Sequence, residues 1–155
     1  MRVQELMVKD VKVCSPTTNL AAVAEILWKG GCGSVPVVEN GRVLGIVTDR
    51  DICIALGTRN VKAADIFVKD VALAKLFYCG PKDDIHVALK TMSAQKVRRL
   101  PVLDSKGTLQ GILCLDDIVV YAEEKAADLT YFDVVDTLKA ICEHERPHLP
   151  LAVAR

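Results

Sequence analysis

Residues Ser34–Ile52 read SVPVVENGRVLGIVTDRDI, two short apolar runs around an Asn-Gly pair, followed by a hydroxyl and a carboxylate three residues apart. An Asn-Gly pair between apolar runs is the strongest short-range sign of a β-hairpin, because both residues accept the positive φ angles of a tight turn. Thr48 and Asp51 then have the Thr-x-x-Asp spacing of a capping box at a helix start. The stretch therefore predicts two antiparallel strands that lead directly into a helix.

Most of this pattern returns downstream, where Arg99–Ile118 reads RLPVLDSKGTLQGILCLDDI. Pro36 and Pro101 are 65 positions apart, and Gly45 and Gly111 are 66 apart. A unit of about 60 residues is marginal for a hydrophobic core of its own, whereas two similar units can bury their apolar faces against each other. The repetition predicts two structural repeats that form one inseparable unit.

The overall composition argues against several classes of protein. Twenty Lys and Arg balance twenty Asp and Glu, so no net field draws the chain to nucleic acid or anionic lipid. The N-terminus lacks the basic and apolar segments of a signal peptide, and no apolar run is long enough to span a bilayer. Six scattered cysteines without a Cys-x-x-Cys pair favour buried free thiols in a reducing compartment. We expect a cytoplasmic protein that contacts neither nucleic acid nor membrane.

Periodic spacing of apolar residues indicates the elements around the first hairpin. Val11–Cys14 alternates as a strand does. Thr18 or Asn19 can cap the helix that follows, whose apolar positions are Leu20, Val23, Ala24 and Leu27 and which the glycines at 30, 31 and 33 end. A short helix follows the hairpin over residues 49–56, with Gly57 as its stop.

The second copy has the same order of elements, and one further helix follows it. Asp83 or Asp84 is expected to cap the helix that precedes the second hairpin. Thr130–Cys142 predicts the further helix, with an apolar side formed by Tyr131, Val134, Val135, Leu138 and Ile141. Such a helix either packs on the repeats or pairs with another subunit, and the residues from Arg146 onward are expected to form a loose tail.

Taken together, the two copies resemble a tandem pair of cystathionine-β-synthase (CBS) domains, the unit called a Bateman module. The resemblance is carried by Val35–Val38 with Gly45–Asp51, and by Leu100–Asp104 with Gly111–Asp117. It implies an α+β fold of two β-α-β-β-α repeats packed about a pseudo-twofold axis, to which this chain adds its C-terminal helix. The expected division is a first CBS repeat at 1–60, a second at 61–127, and the C-terminal helix and tail at 128–155.

The resemblance also implies a function. Clefts between paired CBS domains bind adenosine-containing ligands such as AMP, ADP, ATP or S-adenosylmethionine, and the family usually regulates another protein rather than catalysing a reaction. We therefore expect a regulatory module that binds an adenine nucleotide, with S-adenosylmethionine the less favoured ligand, and that acts through a homodimer or an unknown partner. The alternative is a ligand-free structural or dimerisation module that mediates protein–protein interaction.

In the first copy, the resemblance assigns ligand contacts to the residues after the hairpin. Asp51 holds the family's ribose-binding position, since one carboxylate can accept hydrogen bonds from two neighbouring hydroxyls. Thr48 matches the phosphate-contacting hydroxyl at a helix N-terminus, and Arg50 adds a positive charge beside it. The alternative is that Thr48 and Asp51 only cap the helix.

The second copy departs from this pattern. Cys114 replaces the hydroxyl with a poorer donor and Asp116 replaces the arginine, while Asp117 keeps the carboxylate. Basic residues precede its first hairpin strand, namely Lys96, Arg98 and Arg99, and in the family such residues often reach phosphates near the central axis. The alternative is a solvated basic turn. Because only the first copy keeps both hydroxyl and carboxylate, we expect its cleft to hold the ligand.

The resemblance further implies an apolar slot for adenine in each copy. The slots would be lined by Val13, Cys14, Pro36 and Val37 in the first copy and by Tyr78, Cys79, Pro101 and Val102 in the second. The alternative is ordinary core packing. No nucleophile, acid–base pair or metal-ligand set stands out, since Cys142, His144 and His148 form only a weak cluster. We therefore expect no enzyme activity, no bound metal and no required cofactor.

Overall fold

The computed structural model describes residues 1–72, 75–123 and 128–143. These residues form an α+β fold with two small antiparallel sheets, as the sequence predicts. In chain order the helices and strands are α1 (Val3–Leu6), α2 (Leu20–Gly30), β1 (Ser34–Glu39), β2 (Arg42–Thr48), α3 (Asp49–Arg59), α4 (Ile85–Gln95), β3 (Arg99–Leu103), β4 (Leu109–Cys114), α5 (Leu115–Tyr121) and α6 (Tyr131–Cys142). No helix among these residues is long and apolar enough to cross a bilayer.

The two hairpins have the same construction. β1 pairs with β2 through a turn at Asn40 and Gly41, whose φ angles of 50° and 76° are those of the predicted tight turn. β3 pairs with β4 in the same antiparallel manner. The register shifts after Val37 in the first hairpin and after Val102 in the second, which are matching positions. The predicted pair of repeats is therefore confirmed down to an irregularity within each sheet.

The sequence predicts a short strand before the first long helix of each repeat, but the structure has only a single β-bridge there. Cys14 makes one parallel bridge to Val37, and Cys79 makes the equivalent bridge to Val102. In the first repeat, Cys14 N donates to the Pro36 carbonyl at 3.0 Å, and Val38 N donates to the Cys14 carbonyl at 2.8 Å. The pairing stops there because proline at position 16 follows almost at once.

Side-chain caps begin the helices at the predicted places. Asn19 accepts from the Ala22 amide at the start of α2, and Asp84, rather than Asp83, caps α4. The predicted end of α3 at Gly57 is wrong, since the helix continues to Arg59 and ends at Asn60 with a φ of 49°. A glycine inside a helix costs only about 1 kcal/mol, and asparagine also accepts the left-handed conformation that ends a helix.

Each repeat completes its core with the first segment of the other repeat. Val3 and Leu6 of α1 are buried in the core of the second repeat. Ile66 and Val68, near the start of the second repeat, are buried in the core of the first. The N-terminal segment and the connection between the repeats therefore hold both halves together. The division at residues 60 and 127 remains a prediction.

The C-terminal helix packs on the module along its α4 side. Its buried residues are Val134, Thr137 and Ile141, whereas the predicted stripe members Tyr131 and Val135 are about half exposed. Leu138 is also exposed. The apolar side that the sequence predicts is therefore wider than the face that α6 buries against α4, and Tyr131, Val135 and Leu138 lie outside that buried face. The expected C-terminal tail lies outside the described residues.

Candidate functional site

A basic cavity lies between the repeats. This first cleft has a volume of about 690 Å³, and both repeats contribute to its walls. The first repeat supplies Thr48, Asp49 and Arg50 from the junction of β2 and α3. The second repeat and α6 supply Lys75, Leu76, Phe77, Lys96, Val97, Arg98, Arg99, Ile141 and Cys142. A volume of this size accommodates a nucleotide-sized molecule.

The charges in the first cleft are strongly unequal. Among the residues that the structure describes, its walls carry five cationic side chains and one carboxylate, and the cations are Arg50, Lys75, Lys96, Arg98 and Arg99. The carboxylate belongs to Asp49. Cations grouped around a concave space of low dielectric raise the local concentration of anions. Arg98 and Arg99, which the resemblance associates with phosphates near the central axis, line the same cleft as Thr48 and Arg50.

Thr48 and Asp51 form a complete capping box at the start of α3. Asp51 Oδ2 accepts from the Thr48 amide at 2.8 Å and from the Thr48 hydroxyl at 2.7 Å. The Asp51 amide donates to Thr48 Oγ1 at 3.2 Å. Thr48 lines the first cleft, so the first turn of α3 and its partial positive charge stand at the cleft wall. Capping of α3 and ligand binding, the two roles considered for this pair, would therefore both use the Thr48 hydroxyl and the Asp51 carboxylate.

A lysine in an uncommon backbone conformation projects from the end of α4. Lys96 has a φ of 53°, and Gly31 holds the matching position after α2 with a φ of 57°. The left-handed region suits glycine and costs other residues about 1 kcal/mol. The second repeat has a lysine at this position in spite of the conformational cost, and the Lys96 side chain lines the first cleft.

Gly33 leaves room for charged side chains at the boundary between the repeats. A Cβ atom at this position would lie 3.1 Å from Arg99 Nη2 and 3.3 Å from Asp49 Oδ2. Arg99 comes from the second repeat and Asp49 from the first, and Arg99 lines both the first cleft and a second, smaller one. A side chain at position 33 would push one of these groups away.

The second cleft is smaller and its charges balance. It has a volume of about 380 Å³ and is the pseudosymmetric counterpart of the first, with Cys114 and Asp116 at its wall. Its cations are Lys12 and Arg99, and its carboxylates belong to Asp10 and Asp116. Within the described part of the chain, the side chains that line this cleft have no excess of positive charge to hold a phosphate.

Cys114 leaves the second repeat without the first repeat's capping box. Asp117 Oδ2 is buried and has no hydrogen-bond partner in the described part of the chain. Burial raises the pKa of the Cys114 thiol to about 11, with Asp117 and Asp116 adding to the effect. At neutral pH the position thus holds an uncharged thiol, which is a weak donor, where the first repeat has a hydroxyl.

The residues expected to hold adenine lie mainly in the two cores. Cys14 and Val37 belong to the first core, and Cys79 and Val102 to the second. Burial raises the pKa of the Cys14 thiol to about 11 and that of Cys79 to about 12, so both stay neutral.

The other members of the predicted slots differ in exposure. Pro36 and Pro101 are buried, while Val13 is 44% exposed. Tyr78 lines a separate outer groove beside the second hairpin turn. None of these predicted slot residues is among the side chains that line the first or second cleft within the described ranges. Their contact with an adenine ring remains a prediction.

Several cleft residues were not predicted from the sequence. Lys75 belongs to a segment where the two copies differ in length. It therefore has no counterpart in the first copy from which its position could be predicted. Ile141 and Cys142 come from α6, outside the repeats, and only the packing of α6 on α4 brings them to the cleft.

The weak cluster with Cys142 includes His144 and His148, which lie outside the described residues. Among residues 1–72, 75–123 and 128–143, no group of three or more His, Cys, Asp or Glu side chains could hold a metal ion.

Comparison with known proteins supports the resemblance in sequence. A family model described as CBS domain matches the chain twice, at residues 3–58 and 68–124. A CBS domain-containing protein of Bacillus subtilis strain 168, YhcV, is 30% identical over 118 residues, which are 76% of this chain and 83% of that protein. The inosine-5′-monophosphate dehydrogenase of Methanocaldococcus jannaschii is 32% identical over 121 residues. These residues are 76% of this chain but 23% of that enzyme, so the chain spans less than a quarter of its length.

Solved structures show the same fold. The CBS domain pair of protein MJ0100, in complex with 5′-methylthioadenosine and S-adenosyl-L-methionine, has a TM-score of 0.69 at 25% identity, covering 78% of this chain and 98% of that one. The CBS domain protein PAE2072 from Pyrobaculum aerophilum, complexed with AMP, has a TM-score of 0.69 at 24% identity, covering 76% and 90% of the two chains. Neither comparison includes all of this chain.

Proposed function

This chain belongs to the CBS-domain family, and we propose that it is a regulatory module that binds a phosphorylated adenosine ligand in its first cleft. The observation that supports this proposal best is the excess of five cations over one carboxylate in that cleft. Related domain pairs bind adenosine compounds, namely AMP in one case and 5′-methylthioadenosine with S-adenosylmethionine in another. An adenosine compound is therefore the ligand class, and the cleft charges select among its members.

The charges favour AMP, ADP or ATP over S-adenosylmethionine. A phosphate brings negative charge and strong acceptors for guanidinium and ammonium groups. S-adenosylmethionine instead brings a sulfonium cation, which the cations of the first cleft repel. The balanced second cleft lacks this preference.

We assign each part of the ligand to groups in or beside the first cleft. The phosphates contact Arg98 and Arg99 and lie beside the first turn of α3. On this assignment the Thr48 hydroxyl exchanges its bond to Asp51 Oδ2 for one to a phosphate oxygen. Both bonds from Thr48 go to Asp51 Oδ2, so Oδ1 is the oxygen that a ribose hydroxyl reaches. Asp117, by the same resemblance, is the ribose group of the second cleft.

On this proposal the output is a change in affinity for another protein chain. A ligand shifts a conformational equilibrium only as far as it binds one conformation more tightly than the other. The recipient is a second copy of the chain, in a homodimer, or a separate regulated protein. Catalysis is not part of the proposal.

Thermal unfolding with and without millimolar AMP, ADP, ATP and S-adenosylmethionine tests it. A phosphorylated ligand at a hundred times its dissociation constant should stabilise the fold by about 2.7 kcal/mol, which is a shift of several degrees. Asp117→Ala should leave most of this shift in place, because its cleft is not the favoured one. No shift with any nucleotide contradicts the proposal and leaves the ligand-free interaction module.

A further inference from the structure

The C-terminal end of α6 lies against the cations of the first cleft. Lys96 Nζ donates to the backbone carbonyl of Glu143 at 2.5 Å, and Arg98 Nη2 donates to Cys142 Sγ at 3.7 Å. Ile141 and Cys142 line the cleft themselves. Two of the five cations in the cleft therefore already have a partner in the last turn of α6.

The attraction between these groups has a simple electrostatic origin. The last carbonyl groups of a helix lack intrahelical donors and carry a partial negative charge. Lys96 donates to one of these carbonyl groups, that of Glu143, while Arg98 donates to the neighbouring Cys142 sulfur. A phosphate carries a full negative charge and several acceptor oxygens, so it is the stronger partner for both side chains.

The last turn is also weakly held by other contacts. Cys142 and Glu143 are exposed, as are Lys96 and Arg98. The buried anchor at this end is Ile141, which is 8% exposed. The N-terminal end of α6 is held separately, by the Thr130–Asp133 capping box and by buried Val134. Loosening of the last turn does not require the whole helix to leave.

We propose that a phosphorylated ligand in the first cleft competes with the last turn of α6 for Lys96 and Arg98, so that ligand binding loosens the C-terminal end of this helix. This inference rests on the proposed function and extends it, since α6 lies outside the matched family repeats, which end at residue 124. The ligand signal then leaves the module through a helix outside the two matched repeats. Coupling between two sites is reciprocal, so a loosened last turn must in return strengthen ligand binding.

Hydrogen exchange on the full chain tests the first half of this coupling. With saturating ATP, amide exchange should become faster in peptides that cover residues 139–143. It should stay unchanged in peptides that cover 131–135, which serve as the internal control. 5′-Methylthioadenosine, which has no phosphate, should leave both regions unchanged. Slower or unchanged exchange at 139–143 with bound ATP would overturn the competition.

Two variants of α6 test the reciprocal half by isothermal titration with ATP. Ile141→Ala removes the anchor of the last turn and should tighten ATP binding by about fivefold or more, the lower end of typical coupling between sites. Val134→Ala weakens α6 at its other end and should leave the affinity unchanged. If Ile141→Ala weakens or does not change ATP binding, the last turn is a wall of the site and not a competitor.

The outcomes of these experiments distinguish a failure of the competition between ligand and α6 from a failure of ligand binding itself. If ATP binds wild-type protein but either exchange at 139–143 or the Ile141→Ala affinity does not respond as stated, only the competition fails. If titration detects no ATP binding to the wild type, the proposed function fails and the competition fails with it.

Discussion

Two capping boxes in this chain have nearly identical geometry. The Thr130 hydroxyl donates to Asp133 Oδ2 at 2.6 Å and the Thr130 amide at 2.8 Å, compared with 2.7 and 2.8 Å for Thr48 and Asp51. Hydrogen-bond geometry alone therefore does not distinguish a cap from a ligand site. The difference is in location, because Thr48 faces the first cleft and Thr130 begins α6.

Alanine substitution of the two carboxylates separates these roles. Asp51→Ala and Asp133→Ala should each lower stability by about 1 kcal/mol through the lost cap, which is a few degrees in Tm. Only Asp51→Ala should also remove the stabilisation by ATP, since the proposal assigns the ribose hydroxyls to Asp51. Equal ATP shifts in the two variants would mean that Asp51 is a cap and nothing more.

The second repeat offers a substitution that should stabilise the protein. Cys114→Thr places a hydroxyl where the first repeat has one and supplies a donor for the buried Asp117 Oδ2. We expect a gain of about 1 kcal/mol, the usual net value of a hydrogen bond, measured as an increase in Tm.

Cys53→Thr is the control for the cysteine substitution. Cys53 is exposed on α3, and cysteine and threonine have similar helix propensities, so this change should be nearly neutral. An unchanged or lower Tm for Cys114→Thr would show that Asp117 is satisfied in another way.

At the scale of elements, the distance to neighbouring segments determines whether a glycine can be replaced by a residue with a side chain. A Cβ atom on Gly111 would lie 2.6 Å from the backbone oxygen of Val8. Val8 and Ile112 exchange two backbone hydrogen bonds of 2.9 Å across the same contact, so the strand cannot easily move away. Gly57, in contrast, lies within α3 and has no such neighbour within 4 Å.

Two glycine-to-alanine variants should therefore shift stability in opposite directions. Gly111→Ala should cost about 1–3 kcal/mol by overpacking. Gly57→Ala should gain about 0.5–1 kcal/mol, because alanine has less backbone entropy to lose in a helix. Calorimetric unfolding of both variants measures the difference, and a Gly111→Ala protein as stable as the wild type would contradict the packing described for β4.

The same distinction explains what could be predicted from the sequence. The Asn40–Gly41 turn and the capping box of Thr48 and Asp51 depend on residues close in the chain, and both were predicted correctly. For α2, Asn19 was one of the two caps that the sequence allowed. The end of α3 was missed because a glycine does not end a helix when a better left-handed residue follows. Helix α1 was missed because its four residues are stabilised mainly by burial of Val3 and Leu6 in the other repeat.

The candidate site divides in a similar way. The family resemblance predicted the types of residue at Thr48, Arg98 and Arg99, and these residues do meet in one cleft. It could not predict Ile141 and Cys142, because their place at the cleft depends on how α6 packs, which no motif within the repeats encodes. It also gave no sign that Lys96 and Arg98 bind the end of that helix.

At the scale of the whole molecule, pseudosymmetry in the fold is accompanied by asymmetry in charge. The two cores exchange their leading segments, so the repeats form one structural unit around their shared boundary. The first cleft nevertheless has a large excess of positive charge, while the second has two cations and two carboxylates. Divergence of side chains on a duplicated backbone thus makes the clefts chemically different.

The central claim is that the first cleft recognises the phosphates of its ligand. Isothermal titration of ATP and of 5′-methylthioadenosine, into wild type, Arg99→Met and Lys12→Met, tests it most directly. Wild type should bind ATP more tightly than the uncharged compound. Arg99→Met should weaken ATP binding by about tenfold or more, as expected for a lost hydrogen bond to a charged group, and should hardly change 5′-methylthioadenosine binding. Lys12→Met, which removes a cation from the second cleft alone, should leave ATP affinity unchanged; equal affinities of wild type for the two compounds, or no effect of Arg99→Met on ATP, would contradict the account.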